Sequence, residues 1–233
     1  PPRYPARAVL LDAFGTLVVM PPPAPRLRAL LEAEGHHHPE DRVRDALAEE
    51  IRYYRANHDR GRDRDSLREL RRDCARVLAA GLGGAAPPPD RLAELLVASL
   101  RFEPAPDAPA ALAALSRARA RVGVVSNWDC SLPDVLADLG VAGAVDAVVT
   151  SAVAGAAKPD PAIFRAALDA LGVEPADAIH CGDDPVRDCA GARAAGIRAV
   201  LLDRSGARSA DGCPRITSLG DLPGLVGLGA PRG

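Results

Sequence analysis

The sequence is poor in aromatic residues and contains no long apolar segment. Phe, Tyr and Trp together make up 3% of its 233 residues, so Ala, Leu and Val must supply most of the core. No segment approaches the roughly 18 consecutive apolar residues that a membrane-spanning helix needs. The opening residues PPRYP also lack the apolar stretch of a signal peptide. These absences predict a globular, cytoplasmic protein that makes no membrane contact.

The chain also lacks a strong charge of either sign and a regular cysteine pattern. Its formal net charge is −2 and no long basic stripe is present, which argues against a nucleic-acid partner. The five cysteines form no CxxC pair, and an odd number cannot all pair within one chain. We therefore expect reduced thiols rather than a disulfide framework.

Short apolar runs alternate with helix-like stretches in most of the chain. Such runs, of the length of a buried strand, are residues 8–12, 122–126, 145–150, 178–181 and 199–203. The stretches between them have the length and apolar spacing of helices. This alternation predicts an α/β fold with a parallel sheet that is sandwiched by helices.

Residues 24–104 differ because their apolar positions recur at helical spacing without any strand-like run. We predict three or four helices, broken at residues 35–39, 57–64 and 81–89. The block follows the first strand, so we expect an inserted all-helical domain at residues 21–104, with 1–20 and 105–233 forming the core domain. Pro-rich segments at 21–23 and 104–109 are the expected hinges. After Arg204, one modest apolar element is expected near residues 216–228.

Polar side chains collect at the ends of the predicted strands. Asp12 ends the first, Ser126 the second, Lys158 follows the third, and Asp183 follows the fourth. Because ligands bind outside the carboxyl ends of the strands in an open α/β sheet, these groups are predicted to meet there. The set suits nucleophilic catalysis by the carboxylate of Asp12, with Lys158 and Ser126 stabilising charge.

Two acids at one sheet edge call for a cation, and Mg²⁺ prefers oxygen ligands. The expected ligands are the Asp12 carboxylate, the Phe14 carbonyl oxygen and Asp183. Of Asp184 and Asp188, one is expected to join the site and the other to cap the helix that begins near Pro185. The residues predicted to contact the substrate are Thr16, Asn127 and Trp128.

Taken in order, four segments resemble the four motifs of the haloacid dehalogenase-like (HAD) superfamily. They are residues 12–17 (DAFGTL), Ser126, Lys158 in KPDP, and Asp183 with Asp188. The resemblance implies a Rossmann-like core and a hydrolase. The helical insert between motifs one and two resembles the cap domain of the dehalogenase-type subfamily.

One residue departs from the motifs of the phosphatases in this superfamily. They usually carry a second Asp two residues after the nucleophile, as general acid and base, whereas this chain has Phe14. The 2-haloacid dehalogenases have an aromatic residue there, but they need no metal and lack the acidic pair of motif four. Because Asp183 and Asp188 are present, we favour a Mg²⁺-dependent phosphatase that acts on a small phosphorylated metabolite through an aspartyl-phosphate.

Several alternatives stay open at this point. Asp129, or a histidine of the run 36–38, is a candidate general acid, and a substrate with a good leaving group, such as an acyl or aryl phosphate, needs none. A 2-haloacid dehalogenase would form an ester at Asp12 without a metal. A third alternative is a catalytically degenerate HAD domain that serves only in binding.

Overall fold

The computed structural model describes residues 4–84, 86–207 and 212–227. Outside the described residues lie 1–3, 85, 208–211 and 228–233. They include the start of the PPRYP segment and the last residue of the apolar element predicted near 216–228. The chain divides into two compact units. One, the core unit, comprises Pro1–Val19 and Glu103–Gly233, and the other, the helical unit, comprises Met20–Phe102.

The core unit is built on a six-stranded, wholly parallel sheet, which confirms the predicted α/β fold. Its strands are β1 (Ala8–Leu11), β2 (Arg121–Ser126), β3 (Ala147–Thr150), β4 (Ala178–Gly182), β5 (Arg198–Leu202) and β6 (Arg215–Ile216). They lie in the order β3-β2-β1-β4-β5-β6. Strands β2 and β3 thus lie on one side of β1, and strands β4, β5 and β6 lie on its other side.

This order makes the carboxyl ends of β1 and β4 the natural place for a site. Ala8 on β1 is in register with Arg121 on β2 and with Ala178 on β4, so β1 lies between those two strands. All four residues of β1 are buried, as expected for a central strand covered on both faces. In open α/β sheets, ligands bind at the point where the strand order reverses, and here that point lies between β1 and β4.

Helices connect the strands and cover the sheet. Phe164, in the helix between β3 and β4, is fully buried and meets the ring of His180 edge-on, with ring centroids 5.0 Å apart. The helices of the core unit, with labels continuing those of the helical unit, are α5 (Ala108–Arg117), α6 (Leu132–Asp138), α7 (Ser151–Ala154), α8 (Pro161–Leu171), α9 (Gly191–Ala194) and α10 (Leu222–Leu225), with one π-helical segment at Pro185–Ala190.

The helical unit contains four α-helices within the described residues, which confirms the predicted helical insert. They are α1 (Ala24–Ala33), α2 (Glu40–Asn57), α3 (Arg64–Leu82) and α4 (Pro89–Ser99), with a short 3-10 helix at His58–Arg60. The breaks fall where the sequence predicted them. Asp63 begins α3 with a capping box, because its carboxylate accepts from the backbone of Ser66 while the Ser66 hydroxyl accepts from the backbone of Asp63.

Short elements complete the chain. Tyr4–Pro5 pairs in parallel with Val226–Gly227, and Val18–Val19 pairs antiparallel with Glu103–Pro104. The 3-10 helices of the core unit are Ala142–Ala144, Pro175–Asp177 and Leu219–Asp221. Within the described residues, no helix is both long and apolar enough to cross a membrane.

The expectation that all cysteines are reduced is wrong for one pair. Cys189 and Cys213 form a disulfide, with Cα atoms 6.2 Å apart. The two residues are 24 positions apart in the sequence, and only the packing of the segment before β6 against the helix after β4 brings them together. The thiols of Cys74 and Cys181 are buried.

Glu50 carries a buried carboxyl in the helical unit, and we predict that it makes stability depend on pH. Burial raises its pKa, although a hydrogen bond from the Cys74 thiol opposes the rise. A carboxyl whose pKa is higher in the folded than in the unfolded chain contributes its full stability below the unfolded value. That contribution is lost as the pH rises through the folded value.

We therefore expect Glu50→Gln to raise the melting temperature at pH 8 by about 2–4 °C, the shift that 1 kcal/mol gives at this size, and to change it little at pH 5. Thermal unfolding followed by circular dichroism measures the effect. Glu49→Gln is the matched control, because Glu49 is exposed and paired with Arg52. Equal shifts at both pH values would contradict the prediction.

Candidate active site

Asp12 is the first residue after β1 and lies at the point where the strand order reverses. Its backbone N–H donates to the carbonyl oxygen of Cys181 on β4 at 3.0 Å, which joins the two strands at this edge. Asp12 is buried, with 6% of the residue exposed. A buried carboxylate requires charged or hydrogen-bonding partners, and Lys158 and Ser126 supply them.

Lys158 bridges two carboxylates. Its Nζ donates to Oδ1 of Asp12 and to Oδ1 of Asp188, both at 2.6 Å, and the lysine side chain is almost fully buried. The loop that carries Lys158 is held by Asn127, whose amide donates to the Lys158 carbonyl at 3.0 Å and accepts from its N–H at 2.7 Å. Asn127 therefore positions the lysine, and its predicted contact with substrate stays a prediction.

Asp188 is held by donors on both of its oxygens. Oδ1 accepts from Lys158 and lies 2.9 Å from Nε2 of His180, and Oδ2 accepts from the backbone N–H of Asp184 at 3.0 Å. Gly182 makes room for this carboxylate, because a Cβ atom there would lie 2.2 Å from its Cγ. Asp188 is thus built into the site as the second partner of the lysine.

Three carboxylates meet at this edge of the sheet. One ligand oxygen each from Asp12, Asp183 and Asp188 can be chosen so that all lie within 4.8 Å of one another. Their three negative charges exceed the one positive charge of Lys158 by two. The oxygen donors and the excess charge suit a divalent cation such as Mg²⁺. The Ser126 hydroxyl and the Lys158 ammonium group both donate to Oδ1 of Asp12, which leaves Oδ2 as the candidate nucleophilic oxygen.

The electrostatics of the cluster follow from burial. Burial raises the pKa of Asp12 to about 6, against the charge of Lys158, and the charges of Asp188 and Asp183 add to the rise. Burial works against a charged Lys158, but Asp12 and Asp188 outweigh it and raise the pKa of the lysine. Burial also opposes ionisation of Asp188, yet Lys158 and His180 hold the pKa of Asp188 below its usual range. Lys158 and Asp188 therefore stay ionised together.

A tight turn brings the chain after β1 close to Asp183. Gly15 has φ +90°, a left-handed conformation that favours glycine. A Cβ atom at this position would lie 2.8 Å from Oδ2 of Asp183. The turn therefore needs glycine both for its backbone angle and for the space beside the carboxylate.

Of the other residues predicted to contact the substrate or its phosphate group, Ser126 contacts Asp12 directly. Ser126 is buried and its hydroxyl lies 3.3 Å from Oδ1 of Asp12, so it belongs to the cluster. Thr16 is fully buried, and its hydroxyl has no hydrogen-bond partner among the described residues. Trp128 is buried, with its ring centroid 6.4 Å from that of Phe14 and its Nε1 3.4 Å from the Ser131 hydroxyl. The substrate contacts predicted for Thr16 and Trp128 stay predictions.

Two of the predicted acids serve as local caps. Oδ1 of Asp184 accepts from the backbone N–H groups of Val186 and Arg187, both at 2.8 Å. Of Asp184 and Asp188, Asp184 is thus the cap of the helical segment after β4. Oδ1 of Asp129 accepts from the backbone N–H of Ser131 at 2.8 Å, and Asp129 is buried. The prediction that Asp129 is a general acid stays a prediction, and so does the prediction that the Phe14 carbonyl oxygen binds the metal.

Two residues at the site were missed by the sequence analysis. His180 contacts Asp188, and a polar residue inside the apolar run of β4 was the available signal. Arg204 follows β5 at the same sheet edge and donates to the carbonyl oxygens of Gly15 at 2.9 Å and Thr16 at 3.2 Å. It also pairs with Asp107 at 2.5 Å. No sequence pattern indicated that this arginine would hold the turn after the nucleophile.

A model of the haloacid dehalogenase-like hydrolases matches residues 6–196, most of the chain. Haloacid dehalogenase-like hydrolase domain-containing protein 3 of Bos taurus is 46% identical over 82 residues, which are 35% of this chain and 33% of that protein. A phosphoserine phosphatase of Thermus thermophilus is 38% identical over 137 residues, 55% of this chain and 54% of that protein. The matched segments thus span between a third and about half the length of these curated relatives.

Solved structures match over nearly the whole chain. A HAD phosphatase from Thermococcus onnurineus has a TM-score of 0.66 at 26% identity, covering 95% of this chain and 98% of that one. A 2-haloacid dehalogenase from Pseudomonas syringae pv. Tomato DC3000 has a TM-score of 0.68 at 25% identity, covering 94% and 97%. Proteins with phosphatase and with dehalogenase names therefore share the architecture of this chain.

The carboxylate cluster predicts that Asp183, rather than its neighbour Asp184, supports cation binding. We expect millimolar Mg²⁺ to raise the melting temperature of the unmodified chain, because a ligand bound only by the folded state stabilises it. Asp183→Asn should lose most of this shift. Asp184→Asn is the matched control, since Asn also caps helices well and removes the same charge one residue away. Equal loss of the shift in both variants would contradict the assignment.

Proposed function

The chain belongs to the haloacid dehalogenase-like hydrolases, and we propose that it is a Mg²⁺-dependent phosphatase of small phosphorylated metabolites that works through an aspartyl-phosphate at Asp12. The observation that carries the proposal is the cluster of Asp12, Asp183 and Asp188, in which Lys158 bridges Asp12 and Asp188 and two negative charges stay unbalanced. A dianionic phosphate ester can approach such a cluster only with a cation present. A phosphatase with a divalent cation at Asp12 and Asp183 meets that requirement.

In the proposed reaction, Oδ2 of Asp12 attacks phosphorus and the bond from phosphorus to the leaving oxygen breaks, with its electron pair on that oxygen. Water then attacks the phosphorus of the aspartyl-phosphate, the bond from phosphorus to Asp12 breaks, and dihydrogen phosphate and the free carboxylate result. Lys158 keeps the Asp12 carboxylate oriented through Oδ1, and we propose that the Ser126 hydroxyl beside it contacts a phosphoryl oxygen.

The proposed ligands of Mg²⁺ are the Asp12 carboxylate, Asp183 and the carbonyl oxygen of Phe14. When bound, the ion supplies positive charge to the phosphoryl oxygens and offsets the charge of the carboxylates. Asp188, whose oxygens already accept from Lys158, His180 and the Asp184 backbone, is proposed to orient the lysine. We propose residues 1–20 and 105–233 as the catalytic core domain and residues 21–104 as the cap domain that selects the substrate.

A second candidate function is that of a 2-haloacid dehalogenase, in which Asp12 displaces halide from carbon and the resulting ester is hydrolysed. The specific observation in its favour is the aromatic Phe14 two residues after Asp12, together with the matching dehalogenase structure. The excess negative charge of the cluster argues against it, because a metal-independent enzyme has no cation to offset Asp183.

The proposed function predicts phosphate release that needs both Mg²⁺ and Asp12. A panel of aryl, acyl and sugar phosphates, assayed with Mg²⁺ and with EDTA, should give turnover only with Mg²⁺. Asp12→Asn should reduce that turnover by at least about 10³-fold, because a neutral amide cannot act as the nucleophile. Halide release from 2-haloacids in EDTA would favour the second candidate instead. Metal binding without turnover on any panel would indicate a degenerate domain that only binds.

Arg204 is predicted to support catalysis by fixing the turn that follows Asp12. Arg204→Lys removes the planar fork that reaches two carbonyl oxygens, and we expect kcat to fall about 10- to 100-fold while KM changes less. The matched control is Arg198→Lys, which also loses an arginine bond to a backbone carbonyl, that of Ala176, at the opposite edge of the sheet. Similar losses of kcat in both variants would show that the effect is only structural.

A further inference from the structure

We propose that the preferred substrates are phosphate monoesters of phenols, whose leaving oxygen departs as a phenolate without receiving a proton. This inference rests on the proposed phosphatase function and deepens it by naming the substrate class. It is carried by two independent observations. One is the bonding of the polar groups near Asp12, and the other is the distribution of exposed apolar side chains around the site.

The core residues next to the nucleophile are poorly suited to protonate a leaving oxygen. Phe14, two residues after Asp12, carries a phenyl ring that has no proton to give. Lys158 uses its ammonium group to bridge two carboxylates, and removing its proton would leave them facing one another. Asp188 accepts hydrogen bonds on both oxygens from three donors.

The two further acids on this edge also act as acceptors. Asp184 accepts from two backbone N–H groups and caps the helical segment after β4. Asp129 is buried and accepts from the backbone N–H of Ser131. Both carboxylates are therefore already engaged with backbone donors of the core unit. The described core residues around Asp12 thus offer positive charge to the phosphoryl group, whereas Asp129, Asp184 and Asp188 are each engaged with donors of the protein itself.

Such a site discriminates between leaving groups. A phenol, with a pKa of about 10 as in tyrosine, leaves as a stable anion. An alkyl alcohol is closer to water, whose pKa is about 16, and depends on an acid. General acid catalysis contributes about 10²–10⁴-fold, so its absence penalises alkyl esters by that factor and aryl esters much less.

The exposed apolar side chains favour an aromatic leaving group over an acyl group. Phe14 is 40% exposed, and the other exposed large hydrophobic residues of the described chain are Val153 and Val186. Each of the three follows a sheet strand at its carboxyl end: Phe14 follows β1, Val153 follows β3 and Val186 follows β4. Exposed large apolar side chains at the edge where the phosphate group is proposed to bind favour an apolar substrate group there.

Phe14 also has an aromatic partner. Its ring is tilted by 55° against that of Trp128, with centroids 6.4 Å apart, within the range of favourable aromatic pairs. In a sequence with three Phe and one Trp, two of these rings lie beside the nucleophile. We infer that the exposed face of Phe14 contacts the phenyl ring of the substrate while Oδ2 of Asp12 attacks phosphorus.

In the proposed first step, the aryl phosphate dianion and the Asp12 carboxylate give a phenolate and the aspartyl-phosphate, and no proton moves. The phenolate takes its proton from solvent after it departs. Water then releases dihydrogen phosphate as described for the proposed function. The step needs no further reactant.

The test compares kcat/KM for p-nitrophenyl, phenyl and p-methoxyphenyl phosphate with that for glycerol 3-phosphate and ethyl phosphate, all with Mg²⁺. We expect the aryl esters to exceed the alkyl esters by at least about 10²-fold, with rates that rise as the phenol becomes more acidic. Alkyl esters hydrolysed as fast as phenyl phosphate would overturn the inference and leave the phosphatase proposal intact. Release of no phosphate from any ester would overturn both.

Variants of Phe14 separate the two observations. Phe14→Asp should raise kcat/KM for the alkyl esters about 10²-fold by supplying an acid, whereas Phe14→Asn, of the same size, should not. Phe14→Leu keeps an apolar side chain and should raise KM for phenyl phosphate several-fold through loss of the ring contact. Thermal unfolding of each variant checks that it is folded. If Asp and Asn give equal alkyl activity and Leu leaves KM unchanged, the inference is wrong.

Discussion

The ammonium group of Lys158 between Asp12 and Asp188 is the interaction on which the rest of the site depends. It is almost fully buried, with 2.6 Å bonds to both carboxylates, and removing any one member would leave an uncompensated charge in the interior. The surrounding contacts can be understood as support for it. Asn127 holds the lysine backbone, His180 and the Asp184 N–H hold Asp188, and Gly182 leaves the space that this carboxylate needs.

The same interaction offsets only part of the negative charge of the cluster. Lys158 balances one carboxylate, and the two remaining negative charges are those that a divalent cation and a phosphate ester would meet. Burial raises the pKa of Asp12 to about 6 and the charges of Asp188 and Asp183 add to the rise, so the cluster tolerates a third negative charge poorly. A phosphatase and a dehalogenase can share this architecture, and Asp183 and Phe14 are where their requirements differ.

Much of the site could be predicted because strand ends are readable in a sequence. An apolar run that ends in Asp12 and another that ends before Asp183 place both acids at one sheet edge, since parallel strands share their direction. Local propensity likewise indicated three or four helices in the insert, and the breaks between them coincide with glycine and proline. By contrast, the roles of Asp184 and Asp188 depend on which backbone N–H groups each carboxylate reaches. These contacts follow from the backbone path of the π-helical segment at Pro185–Ala190.

The sequence by itself determined the fold class and the helical insert, and it indicated that Asp12, Ser126, Lys158 and Asp183 meet at one sheet edge, because periodicity and strand-end position are local properties. Only the tertiary structure decided the contacts that join distant segments. It paired Cys189 with Cys213, where the sequence suggested reduced thiols, and it brought Arg204 to the turn after Asp12. Such contacts arise from the packing of segments far apart in the chain, and no local pattern encodes which of them will meet.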